Sequence, residues 1–214
     1  MLKAIIFDID GTLVDSEPDP GRYKDKLKHD LTLEGAKNLL LISRRWPSRV
    51  RVIRRLLPFL NNAQATGMYT EDIIEGRRKL GYRVRSLGGE SRILAKTDLN
   101  SSVRIDRFYV DIPTIEAFIN PIIEAALQKQ TGILLLGHIG KIEILSTRFR
   151  ELFEESLYSK LKVIATLPNY RVPFFERLRS RPNVCLVEIT KENQDIWPEA
   201  IRTGFLLHQK SQAA

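Results

Sequence analysis

Five short apolar runs punctuate the chain, and they predict strands over Lys3–Ile9, Asn38–Ser43, Ile133–Leu136, Lys162–Leu167 and Val184–Ile189. Each run is nearly continuous rather than alternating, the pattern of strands buried on both faces. The stretches between them repeat at helical spacing. "PSRVRVIRRLLPFL" opens with Pro47, a favourable first helical residue, and places Val50, Ile53 and Leu57 on one face. Pro58 should end or kink that helix. "IPTIEAFINPIIEAALQKQ" repeats Ile115, Phe118, Ile122 and Ala126, with a kink expected at Pro121. Ser146 should cap the helix of "STRFRELFEESLYS", and "PFFERLRSR" and "KENQDIWPEAIRTGFLLHQK" supply two more.

Between Tyr69 and Ile93 the texture changes to short alternating segments broken by Gly76, Gly81 and the Gly88-Gly89 pair, a hairpin signature. "DSEPDPGRYKDKLKHD", from Asp15 to Asp30, is rich in Pro, Gly and charge and reads as a linker. Strands alternating with helices indicate a doubly wound α/β fold with a mainly parallel sheet, here with a small β-hairpin layer beside it. The expected organisation is an N-terminal strand and linker over residues 1–30, followed by one α/β domain over 31–214.

Composition narrows the partners. The 214 residues carry a formal net charge of +8, which favours anions: nucleotides, other small phosphorylated compounds or, less favoured, nucleic acid. Lone Cys185 excludes a disulfide framework and suits a reducing, cytoplasmic setting. No apolar run approaches a membrane span, and acids follow the first apolar residues too closely for a secretory signal.

The most explicit chemistry is "AIIFDIDGTLVDSE", Ala4 to Glu17. A strand delivers Asp8 and Asp10, two apart and on one face, to its carboxyl end. A carboxylate can attack phosphorus when a divalent cation neutralises both groups. A second cluster, "RRWPSRVRVIRR", gathers Arg44, Arg45, Arg49, Arg51, Arg54 and Arg55 around Trp46. Guanidinium groups at a helix start can hold a phosphate, or stack on single-stranded nucleic acid with the aromatic; the plain alternative is a basic helix with its polar face in water.

The first stretch resembles motif I of the haloacid dehalogenase superfamily over about fifteen residues. That resemblance implies Asp8 as nucleophile, Asp10 as proton donor, and both, with Glu143, at a Mg²⁺ ion. It adds Thr12 and Ser43 as phosphate-binding hydroxyls and Lys141 as the neutralising lysine. From Asn38 onwards the chain resembles the thermophile and cancer-related P-loop nucleoside triphosphatases. The resemblance runs through "GMYTEDIIEGRRKLGYRV", "GESRILAKTDL", "RIDRFYVDIPTIEAF", "LLLGHIGKIEILSTRFRELFEESL" and "RPNVCLVEIT". It implies a P-loop fold that hydrolyses nucleoside triphosphates with magnesium.

Both signatures of that second family are altered. Where its glycine-rich loop belongs stand Arg44, Pro47 and Arg49, with Val50 at the lysine and Arg51 at the hydroxyl position. Its Asp-Glu pair has become Gly137-His138, while Gly140-Lys141 and Glu143 remain. His138 could act as a base, or be a partly exposed residue at a strand end. Three readings follow: a divergent nucleoside-triphosphatase-like protein binding a nucleotide or another phosphorylated ligand with hydrolysis weak or lost, a Mg²⁺-dependent phosphatase using Asp8 and Asp10, and a basic module that displays Arg44, Arg49 and Arg51 to phosphate-rich partners.

Overall fold

The computed structural model describes residues 33, 36–44, 46–61 and 63–206. The strand expected over Lys3–Ile9, the linker, and Asp8, Asp10 and Thr12 lie outside the described residues, as does the boundary expected between residues 30 and 31.

One nine-stranded sheet organises everything described. Its strands are β1 (Asn38–Ser43), β2 (Ala65–Glu75), β3 (Arg78–Ser86), β4 (Ser91–Lys96), β5 (Arg104–Ile105), β6 (Phe108–Val110), β7 (Ile133–Gly137), β8 (Lys162–Pro168) and β9 (Val184–Glu188). The spatial order is β5-β6-β4-β3-β2-β7-β8-β1-β9. The pairs β2·β7, β7·β8, β8·β1 and β1·β9 are parallel, whereas β2·β3, β3·β4, β4·β6 and β6·β5 are antiparallel. The expected hairpin segment is therefore present, joined edge to edge with the parallel strands through β2. It extends their sheet instead of forming a layer of its own.

The apolar runs explain the parallel half. In β1, Leu39 and Leu41 point to one face while Leu40 and Ile42 point to the other, and all four are buried. On the first face they meet Val52, Ile53, Leu56 and Leu60 of α1 (Trp46–Leu60) and Trp197, Ile201 and Phe205 of the last helix, α5 (Trp197–Ile201, continued by a π-helical turn, Arg202–Leu206). On the second face lie α2 (Ile112–Thr114, a π-helical segment Ile115–Ile119, then Asn120–Lys129), α3 (Thr147–Tyr158) and α4 (Pro173–Arg179). The fold is doubly wound, as the alternation of elements implied.

Three local expectations meet a physical correction. The inward face of α1 runs through Arg49, Val52, Ile53, Leu56 and Leu60, while Val50 and Leu57 are only half-buried. A buried arginine is invisible to a reading of hydrophobic spacing. Pro58 sits inside the helix without ending it, two residues short of the last helical residue, Leu60. The irregularity expected near Pro121 takes the form of a π-helical segment just before it; proline lacks the amide that would continue the α-helical ladder. Ser146 does cap α3, its hydroxyl accepting from the Phe149 amide at 2.9 Å.

The junction of the two half-sheets rests on Gly67 of β2. Its φ is +135°, and a Cβ there would fall 2.0 Å from the Leu135 carbonyl oxygen of β7. Gly76, at the β2–β3 turn, also has positive φ (+57°), but open space surrounds it. Gly67→Ala is expected to cost about 3 kcal/mol or more, because it adds a backbone clash to a conformation reserved for glycine. Gly76→Ala should cost about 1 kcal/mol, the penalty of the left-handed backbone alone. Urea unfolding of the two variants checks this, and equal losses would contradict it.

Candidate functional site

Ligands of open α/β sheets bind outside the carboxyl ends of the strands, where successive helices depart to opposite faces. Here β1 leads into α1 on one face, while β7 and β8 lead into α3 and α4 on the other. A cavity of ≈ 370 Å³ opens at that place. Its floor is made by Arg49 of α1, Thr70 of β2, and His138 and Glu143 from the segment after β7. Lys79 and Tyr82 of β3 form one wall with Phe108 of β6; Lys141 and Tyr170 form the other.

Glu143 is the electrostatic centre. It is 2% exposed, and burial pushes its carboxyl above the usual range. Its two oxygens are occupied: Oε1 accepts from the Thr70 hydroxyl at 3.1 Å and Oε2 from the Gly140 amide at 2.8 Å. Those bonds and the nearby Arg49 guanidinium oppose the upward shift. Arg49 is itself 6% exposed. Burial lowers it to about 10, with Tyr170 and Glu143 holding it up, so it stays a cation at neutral pH. Tyr170 is pushed up to about 12 by burial and by Glu143, and stays a neutral phenol.

His138 is pinned between neighbouring strands. Its amide donates to the Thr166 hydroxyl of β8 at 2.6 Å, and its Nδ1 lies 2.5 Å from the Thr70 carbonyl of β2. A carbonyl only accepts, so Nδ1 carries the proton of the neutral ring. The backbone has φ +67°, a left-handed conformation uncommon for a side-chain-bearing residue. Burial lowers the imidazole to about 4, overcoming the hydrogen bond to Thr70. The reading of His138 as a partly exposed strand-end residue is thus corrected: it is 3% exposed and neutral at pH 7.

Of the residues singled out in the sequence, Arg49, His138, Lys141 and Glu143 converge on the cavity. Arg44 is exposed between β1 and α1, and Ser43 is buried at the end of β1, outside the cavity lining. Arg51 turns away to an exposed ion pair with Asp195 at 2.5 Å, which Arg55 joins at 2.9 Å. Hydrophobic patterning missed Thr70, Lys79, Tyr82 and Tyr170. The Lys-x-x-Tyr spacing of β3 and the Asn-Tyr that follows Pro168 at the end of β8 were the available signals.

The magnesium ion that the resemblances imply does not fit the described part of this site. Among the described residues no three His, Cys, Asp or Glu side chains gather as a metal site. Both oxygens of Glu143 are taken by donors, and a buried guanidinium stands beside it. Where the altered family signature would place its first acid, Gly137 leaves no room: a Cβ would lie 2.6 Å from Tyr69 Cβ.

Comparison with known proteins fits this geometry to a family. The NTPase family pattern matches residues 50–202. The nucleoside-triphosphatase THEP1 of Thermotoga petrophila is 35% identical over 157 residues, covering 73% of this chain and 86% of that protein. Its counterpart from Thermotoga maritima is 34% identical, covering 73% and 88%. The crystal structure of THEP1 from Aquifex aeolicus superposes with a TM-score of 0.69 at 23% identity, covering 77% of this chain and 96% of the other. The solution structure of a human cancer-related nucleoside triphosphatase gives 0.66 at 23%, covering 78% and 95%. The chain belongs to the NTPase family, with the fold of P-loop nucleoside triphosphatases. The matched pattern begins at Val50, inside α1.

The charge state of His138 yields a pH prediction. An unfolded histidine takes up its proton near pH 6.5, whereas the buried ring resists until about 4. Between those values the unfolded chain binds more protons, so this residue's contribution to stability falls as pH falls through that window. Glu143 has the opposite sense and is common to both proteins compared. From pH 7.5 to pH 5 the parent should lose roughly 2 kcal/mol more than His138→Asn. Asparagine tolerates the left-handed backbone. Urea unfolding at the two pH values measures it; equal losses would show that the ring takes a proton without cost.

Proposed function

We propose that this protein binds a nucleotide or another small phosphorylated ligand in the cavity, and that its hydrolysis of nucleoside triphosphates is weak or lost. The observation that carries this reading is the start of α1 at Trp46, with two residues between it and the end of β1. A phosphate-cradling loop needs a run of free amides closing around the β and γ phosphates. Here the helix has already begun, so from Val50 on the amides belong to its internal ladder. Pro47 has no amide to offer, and Val50 and Arg51 stand for the lysine and hydroxyl.

The neutral ring of His138 and Glu143, whose two oxygens each already accept a hydrogen bond from Thr70 and Gly140, support the same conclusion, since neither is arranged to orient water beside a metal-bound phosphate. A small ligand is favoured over nucleic acid because Arg51 and Arg55 are engaged by Asp195 rather than displayed with Arg44. Lone Cys185 supports a reducing, cytoplasmic setting.

Phosphate release from ATP and GTP with magnesium, measured beside the Thermotoga maritima relative, tests the reading. Loss of the amide cradle, lysine and metal contacts should leave turnover about a thousandfold or more below that comparator. Comparable rates would overturn it.

A further inference from the structure

Two lysine–tyrosine pairs stand on opposite walls of the cavity. On one, Lys79 Nζ lies 3.9 Å from the centre of the Tyr82 ring; on the other, Lys141 Nζ lies 5.5 Å from that of Tyr170. Phe108 meets Tyr82 edge-on at 5.2 Å, and Phe175 backs Tyr170 at 6.0 Å, so both walls are aromatic and braced. Arg49 lies on the floor between them, beside the Glu143 carboxylate. The space is lined by two tyrosine rings with a lysine ammonium near each, Lys79 also pairing with Asp72 at 2.6 Å, and by the Arg49 guanidinium beside Glu143.

The geometry points to a compact phosphate monoester bearing a planar ring, the size of a nucleoside monophosphate, bound without a divalent ion because the lysine ammonium groups on the walls, with the Arg49 guanidinium below, supply the positive charge. This rests on the phosphorylated-ligand reading and narrows it. A volume of ≈ 370 Å³ is near the lower end of ligand cavities, which run from about 300 to 1,000 Å³. Tyrosine faces accept a planar ring by stacking, as they accept any base. Lysine ammonium groups meet phosphate as point charges, with no need of an amide cradle. A magnesium complex is disfavoured for a direct reason: its cation would have to sit against the buried guanidinium, with Glu143 already held by Thr70 and Gly140.

Calorimetric titration of the full chain tests this, with AMP, GMP, inorganic phosphate and ATP as probes, each in magnesium and in EDTA. At least one monophosphate should bind with a dissociation constant that changes less than about twofold between the two buffers, and magnesium-ATP should bind no more tightly. Lys141→Glu, an exposed substitution, should weaken that binding about tenfold or more, whereas Arg148→Glu on the outer surface should not change it. Tyr82→Ala should bring the monophosphate close to the affinity of inorganic phosphate. Binding that requires magnesium, or magnesium-ATP about tenfold tighter than either monophosphate, overturns the inference while the phosphorylated-ligand reading stands. No binding of any probe overturns both.

Discussion

A carboxylate that is 2% exposed must be neutralised or richly hydrogen-bonded, and Glu143 sets that condition for its surroundings. Meeting it takes the Thr70 hydroxyl from β2, the Gly140 amide from the loop after β7, and the Arg49 guanidinium from the first turns of α1. Three elements that are distant in sequence are therefore held at one point. The arginine stands in the first turns of α1, which starts two residues after the end of β1. The early start of α1 and the buried ion cluster are facets of one arrangement.

The sheet core and the cavity draw on different parts of the sheet. The parallel strands hold together through buried leucines and isoleucines on both faces, none of which touches phosphate chemistry. At Gly137 β7 lies close against Tyr69 of β2, where a side chain would hold the two strands apart.

Legibility in the sequence followed the same division. β1, β7, β8 and β9 were readable because strands buried on both faces must be apolar throughout, as "LLLI" and "ILLL" are. The face of α1 was misjudged by about one position because Arg49 is buried by charge, not by hydrophobicity. For the site, resemblance located Lys141, Glu143 and His138 on one segment. It could not place Lys79 and Tyr82 opposite them, since only the continuity of β2 from the parallel to the antiparallel half carries the hairpin there. Arg44, Arg49 and Arg51 looked equivalent as a run of charge. Helical geometry divides them, sending Arg49 inward and Arg51 to Asp195.

Among the described residues the antiparallel extension ends at β5, which is only two residues long and begins with an arginine. Open sheet edges offer unpaired amides and carbonyls to any passing strand, a route to aggregation. A two-residue rim offers too short a template for another chain to continue. Arg104 places its charge there, and its guanidinium folds back to the Asp106 carbonyl at 2.6 Å. By tapering from the eleven residues of β2 to the two of β5, the sheet guards this margin against self-association.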